Sequence, residues 1–213
     1  MSGSYVEEFA LELISRAADY EVRLNANDAA ALSAYYERVL AWNPRLHLVA
    51  PCSPAEFATR HILESLTLLK HLPHGARVTD VGSGAGLPII PCLIVRPDIN
   101  ATLIEASPKK AVFLREALRL VNRQSATSVV AERFEKLPSP AAEFVTCRAL
   151  DRFAAMLPKL IAWAEHAEAL LFFGGAAIEA ELRKSGLAFT STRLPNSEQR
   201  FLFVASKNTP ART

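Results

Sequence analysis

Arg77-Val78-Thr79-Asp80-Val81-Gly82-Ser83-Gly84-Ala85-Gly86-Leu87-Pro88 is the stretch whose reading decides the fold. A β-branched run enters a glycine-rich turn, and an apolar, helix-compatible segment follows. The chain has only 8 glycines against 13 prolines. Three of the eight, Gly82, Gly84 and Gly86, fall within five residues here. Glycine permits a tight turn and a close approach of backbone to ligand. The helix that follows offers free N–H groups at its start. In an open parallel sheet the ligand crevice lies at the carboxyl ends of the strands.

The alternation on the C-terminal side of this turn supports such a sheet. Strands are expected near residues 77–81, 101–105, 127–131, 143–147 and 168–173. Helices are expected near 88–95, 108–122, 153–165 and 176–185. Strand and helix in turn imply a parallel sheet covered on both faces. Two further strand candidates, 187–194 and 199–206, are joined by Pro195-Asn196-Ser197-Glu198, short enough for an antiparallel hairpin. On the N-terminal side the period is helical. Val6, Phe9, Leu13, Ile14 and Ala17 mark a helix within 4–22. Asn27 is read as the cap of a second helix, reaching about Trp42 and stopping before Pro44. Ser53, Pro54 and Glu56 open a third, running to His71. The expected organisation is a helical extension over residues 1–72 and an α/β core over 73–213.

Composition narrows the function classes. The chain has 213 residues, half of them hydrophobic and 22% charged, which excludes a disordered or fibrous protein. The net charge of +2 is unevenly spread. Residues 1–75 carry 6 Lys/Arg and 9 Asp/Glu, and residues 76–213 carry 18 and 13. Three scattered cysteines, Cys52, Cys92 and Cys147, form neither a CxxC pair nor a disulfide framework. The acidic start lacks the basic flank of a signal peptide. The longest apolar run, Leu87 to Val95, is half a membrane span and contains two prolines. A cytoplasmic protein without a membrane partner is expected. His61 has no companions at metal-ligand spacing, so no metal is expected either.

The dinucleotide fingerprint is GxGxxG. Here the third glycine comes one residue early, Leu87 takes its expected place, and Asp80 precedes the loop by two residues. An acid beside the loop is unwelcome next to a pyrophosphate, which prefers a helix N-terminus. DxGxGxG is the pattern of class I S-adenosylmethionine-dependent methyltransferases. Glu105, at the end of the next strand, stands where a carboxylate can accept from both ribose hydroxyls. That feature serves either nucleotide cofactor, so an NAD-type Rossmann oxidoreductase stays open on these residues alone.

Longer segments carry a more specific likeness. Trp42-Asn43, Arg60-His61-Ile62-Leu63-Glu64-Ser65, the glycine loop through Pro88, Pro91, Arg96-Pro97, Glu105-Ala106-Ser107, Lys109-Lys110, Phe113-Leu114-Arg115, the run from Arg133 to Pro138 and Arg148-Ala149 follow in order. In these the chain resembles the 16S ribosomal RNA small subunit methyltransferase G family, also called glucose-inhibited division protein B. The resemblance implies a class I, Rossmann-like methyltransferase core with a mostly parallel seven-stranded sheet and an antiparallel last strand. It implies S-adenosylmethionine as cofactor, and methyl transfer to N7 of a guanine in 16S rRNA, in a 30S subunit or an assembly intermediate. A monomer is expected. Cofactor contact is carried over from the family to Gly82, Leu87, Phe134, Glu135 and Arg148; the loop and strand reading adds Asp80, Gly84 and Glu105 as cofactor-binding candidates. The chain departs from the family pattern at Ile89 (usually glycine), at Leu46-His47-Leu48, at Glu105 (usually Asp), at Cys147 (usually Ser) and at Phe173 or Gly174, where a lysine is missing. A cofactor-binding assembly protein without catalysis is therefore the other alternative.

Guanine N7 carries a free lone pair, so no general base is expected. Its edge faces the major groove, which is deep and narrow in A-form RNA, so the target must be looped or splayed out. The basic candidates for RNA contact are Arg60 and His61, together with Lys109, Arg115, Arg119 and Arg123 on one broad side of the 108–122 helix. Arg148 is expected to face the cofactor carboxylate or the RNA, or else to pair internally with Glu105 or Asp80.

Overall fold

The computed structural model describes residues 2–150 and 152–206. Seven strands, β1 (Arg77–Val81), β2 (Asn100–Ile104), β3 (Thr127–Val130), β4 (Phe144–Cys147), β5 (Ala169–Gly174), β6 (Ala188–Arg193) and β7 (Phe201–Ser206), form one sheet in the order β3-β2-β1-β4-β5-β7-β6. The pairs among β1 to β5 are all parallel, and β7 runs antiparallel to both neighbours. The order reverses between β1 and β4, which is where a doubly wound sheet opens a crevice. The expected strands all form, with ends shifted by a residue or two.

Side-chain alternation along each strand feeds two cores. From β5, Leu171 and Phe173 point to one core, while Leu170 and Phe172 point to the other. Helices α7 (Phe153–Trp163) and α8 (Ala176–Ser185) cover the second face, where Leu157, Leu160, Ile178 and Leu182 are buried. The first face is covered by α5 (Ile89–Val95), α6 (Pro108–Leu120) and the N-terminal helices. One apolar cluster includes Phe9, Leu13 and Tyr35 from the extension, Ile90 and Phe113 behind the sheet, and Leu202 of β7.

Two of the N-terminal expectations need correction. Helix α1 (Ser2–Arg16) forms where its period implies and passes into a 3-10 turn at Ala17–Tyr20. Helix α2 (Ala26–Leu46) starts two residues early, because Asn25 rather than Asn27 closes a reciprocal capping box with Asp28. It also runs through Pro44. Proline removes one helical bond, but Trp42 and Leu46 pack on the core on either side of it. His47 then ends the helix in the left-handed region and donates to Asn43 O at 2.9 Å.

The third helix is not uniform. A short α3 (Pro54–Glu56), capped by Ser53 Oγ, widens into a π-helical turn at Phe57–Leu63, tightens as α4 (Glu64–Leu66) and ends as a 3-10 turn at Thr67–His71. π turns shift the carbonyl ladder out of register and cluster at functional sites. Here the displaced carbonyls are put to use at the crevice. Cys52, Cys92 and Cys147 are free thiols. Among the described residues, no helix is long and apolar enough to cross a membrane, and no group of three His, Cys, Asp or Glu side chains is placed to hold a metal ion.

Candidate active site

A cavity of about 910 Å³ opens at the carboxyl ends of β1, β2 and β4. Its floor is the glycine loop. Gly82 N and Ser83 N both donate to Ile104 O, at 2.9 and 3.1 Å, which curls the loop over the tip of β2. Gly82, Gly84 and Gly86 all have positive φ, of 71°, 53° and 87°, which explains why this glycine-poor chain concentrates them here. A Cβ on Gly86 would run into Ile90, so that glycine serves packing against α5. A Cβ on Gly84 would meet only Gly82 O, at 3.7 Å, and that residue lines open cavity.

Glu105 fixes the loop from the side. Its Oε2 accepts from Gly84 N and its Oε1 from Ser107 N, both at 2.8 Å. A carboxylate has about four lone-pair sites, so two remain for a ligand in the cavity that Glu105 lines. Leu87, Phe134 and Glu135 line the same space. Phe134 sits on a short 3-10 turn with its ring edge-on to Trp163 at 5.4 Å.

Asp80 is placed otherwise than the motif suggests. Its side chain is fully buried beneath the loop and does not line the cavity. Neither Oδ atom has a hydrogen-bond partner among the described residues. Burial pushes its pKa up to about 8, with Ser83 opposing the rise and the charge of Glu105 adding to it. Its main-chain oxygen accepts from Ser83 Oγ at 3.0 Å.

The helical extension forms the opposite wall through Leu48, Val49, Ala50 and His61. Asn43 holds this wall by bracketing Val49, donating to its carbonyl at 3.1 Å and accepting from its N–H at 3.0 Å. Arg148, just after β4, completes the wall. It pairs with neither Glu105 nor Asp80. Its guanidinium donates to Arg60 O (2.6 Å), His61 O (3.3 Å) and Ser65 Oγ (3.0 Å), and lies 3.5 Å from Glu64 Oε2. The first two are carbonyls of the π turn. Burial draws the Arg148 pKa down to about 10, with Glu64 opposing. His61 is half-buried against this cation, and its desolvation, followed by Arg148, Arg60 and Arg200, lowers its pKa to about 3. It is a neutral imidazole at physiological pH.

The basic candidates are divided. His61 lines the cavity, while Arg60, Lys109, Arg115, Arg119 and Arg123 do not. Arg60 pairs with Glu56 at 2.9 Å, and Arg119 pairs with Glu116 at 2.9 Å. Helix α6 starts at the crevice and runs away from it, so Arg119 lies roughly 16 Å along the axis from Pro108. Arg123 borders a separate shallow groove with Asn25 and Asp28. Besides Arg148, the cations that reach the cavity are Lys110, Arg133, Lys136 and Arg152, none of which was among the residues expected to meet RNA. They come from three separate segments and share no period. Arg152 stands in the left-handed region, at φ 53°, as the residue before α7.

Residues 28–207 match the family model described as rRNA small subunit methyltransferase G. The chain belongs to that family. It is 37% identical over 205 residues to the ribosomal RNA small subunit methyltransferase G of Sorangium cellulosum, covering 92% of this chain and 81% of that one. It is 42% identical over 135 residues to the protein of the same name from Xanthomonas axonopodis pv. citri, covering 63% of each. Among solved structures, the METTL16 methyltransferase domain aligns over 94% of this chain and 92% of its own, with a TM-score of 0.57 at 14% identity. The ribosomal protein L11 methylase of Lactobacillus delbrueckii subsp. bulgaricus aligns over 69% and 78%, with a TM-score of 0.57 at 12% identity. At these identities the likeness is one of fold, and it is the class I methyltransferase fold. The methyltransferase G family thus accounts for the seven-stranded order, the antiparallel β7 and the dependence on S-adenosylmethionine.

Proposed function

We propose that this chain transfers a methyl group from S-adenosylmethionine to N7 of a guanine in 16S rRNA. The observation that carries the reading is the two-walled cavity. One wall is the glycine loop with Glu105, and the other is Arg148 held by the extension.

The residues present fit the cofactor. Two unused lone pairs on Glu105 suit the ribose hydroxyls, Phe134 and Leu87 supply apolar surface for the adenine, and Gly84 leaves room for close approach. Gly82 and Glu135 belong to the same lining, whereas Asp80 acts from beneath, by supporting the loop. When bound, S-adenosylmethionine supplies an electrophilic methyl group on a sulfonium.

The protein's part is to bind, orient and keep water out. Guanine N7 attacks with a lone pair already available, so no side chain must remove a proton first. His61, neutral and half-buried, suits a wall rather than a base. Holding two reactants in line is worth roughly 7–11 kcal/mol of barrier. Lys110, Arg133, Lys136 and Arg152 suit the phosphates on either side of a splayed-out nucleotide, because phosphate contacts set register without reading sequence.

The test is methyl transfer to 30S subunits and to naked 16S rRNA, with the product nucleotide mapped. N7-methylguanine at one site is expected. Methyl transfer to another atom, or none, would refute the reading.

A further inference from the structure

Glu64 belongs to the helical extension and is 1% exposed, yet it meets two arginines from distant parts of the chain. Its Oε1 accepts from Arg200 Nε at 2.9 Å and from Arg200 Nη2 at 2.7 Å. Its Oε2 lies 3.5 Å from Nη2 of Arg148. Arg200 immediately precedes β7. Because β7 is antiparallel to β5, and Phe201 is paired with Gly174 at the carboxyl end of β5, Arg200 stands at the sheet edge where the crevice opens. The Arg148 side chain is 12% exposed and that of Arg200 is 37% exposed. Among the described residues no acceptor meets Arg200 Nη1.

Two guanidinium groups share one carboxylate, so the cluster carries a surplus positive charge beside the cavity. A buried ion pair is weak evidence for stability, since apolar side chains of similar volume often serve as well. What a fork of two bonds onto one carboxylate does provide is a fixed orientation.

We propose that Glu64 is a positioning residue for the rRNA substrate: it holds Arg148 at the crevice wall and fixes Arg200 by two donors, so that the remaining Nη1 edge of Arg200 meets a backbone phosphate of the RNA. The inference rests on rRNA being the substrate. The phosphodiester is the group that fits, because it brings the one negative charge the cluster lacks and accepts along the free edge of the guanidinium.

The experiment is steady-state methyl transfer to 30S subunits at several salt concentrations, with S-adenosylhomocysteine affinity and thermal unfolding measured alongside. Arg200→Ala should raise KM for the subunit about tenfold, as loss of a charge-assisted hydrogen bond does. It should also flatten the log–log salt dependence by about one unit and leave kcat within about twofold. Glu64→Gln keeps the shape and should raise KM in the same direction, with cofactor-product affinity within about threefold of wild type. The double variant should show a KM for the subunit no higher than that of Arg200→Ala alone, because the RNA contact that Glu64 positions is made by Arg200. Glu64→Asp retains the charge but withdraws it by one methylene, and should not restore KM.

Unchanged KM and salt slope in Arg200→Ala, additive losses in the double variant, or wild-type KM in Glu64→Asp would each overturn the proposal. If Glu64→Gln does not fold, Arg200→Lys decides. Lysine keeps the charge without the fork, and a wild-type KM there would overturn the positioning role. A wild-type protein that fails to methylate 16S rRNA in 30S subunits would refute the substrate reading itself, a separate outcome.

Discussion

The hydroxyl of Tyr35, on α2, donates to the main-chain oxygen of Ala85 at 2.6 Å, so a helix of the extension holds the glycine loop from behind. Tyr35 is fully buried, and burial raises its pKa further above the ordinary phenol value, so the proton stays in place at any physiological pH. Tyr35→Phe leaves a buried carbonyl without a partner. It should cost about 1–3 kcal/mol, seen as a lower unfolding midpoint, and should weaken S-adenosylhomocysteine binding in calorimetry. Equal affinity for wild type and variant would mean that the loop keeps its shape unaided.

Asp80 sets a pH dependence. Its folded pKa, about 8, lies above the ordinary carboxylate value near 4. Between these values the folded state keeps a proton that the unfolded chain has released, so stability falls as pH rises through the window. Asp80→Asn cannot lose that proton. Urea unfolding at pH 5 and pH 8 should show a smaller loss for Asp80→Asn than for wild type. Parallel losses would contradict the burial of an uncompensated carboxyl there.

His61 works in the opposite sense. Its folded pKa, about 3, lies below the ordinary value near 6.5, so the unfolded chain takes up a proton first on acidification. Its share of stability is complete above about 6.5 and declines as pH falls toward 3. The imidazole NMR shifts of His61 should remain those of the neutral ring at pH 5. A midpoint near 6 would place the ring in water instead of against Arg148.

The three loop glycines differ in what a methyl group would meet. Gly86→Ala collides with Ile90, whereas Gly84→Ala enters the open cavity. Gly86→Ala should therefore be the more destabilising, by about 2 kcal/mol or more from overpacking added to the positive φ. Gly84→Ala should lose cofactor affinity in excess of its loss of stability. Unfolding and calorimetry together separate the two effects.

RNA affinity should follow the rim of the cavity rather than the stripe on α6. Arg133→Ala with Arg152→Ala should weaken binding to 16S rRNA several-fold and flatten its salt dependence. Arg119→Ala with Arg123→Ala should change it little, because Arg119 is already paired and Arg123 lies beside another groove. The reverse order in a filter-binding titration would return α6 to the interface.

The glycine loop and the strand–helix alternation were legible because both are local, set by residue type at fixed spacing. The fate of Asp80 was not. A motif records that an acid precedes the loop, but the pleat of β1 decides which way it points, and here Gly82 and Ser83 curl over it toward Ile104. That Lys110, Arg133, Lys136 and Arg152 meet at one cavity is not legible in the sequence, because only tertiary folding brings them together, while the α6 stripe stands out because periodicity within one helix is visible in a sequence. The π turn at Phe57–Leu63 has no residue signature of its own. Its use shows only in three dimensions, where Arg148 takes the Arg60 and His61 carbonyls.

Glu64 and Arg200 are separated by 136 residues of chain. β7, which carries Arg200 into place, slots between β5 and β6 after both have been synthesised. At the usual 5–20 residues per second of synthesis, the carboxylate waits on the order of 7–27 s for its second arginine. The extension is made first but cannot take its final form alone. The pairing on Glu64 is completed by the last strand, so a chain arrested before β7 carries the cofactor loop and Arg148 without the second arginine on that carboxylate.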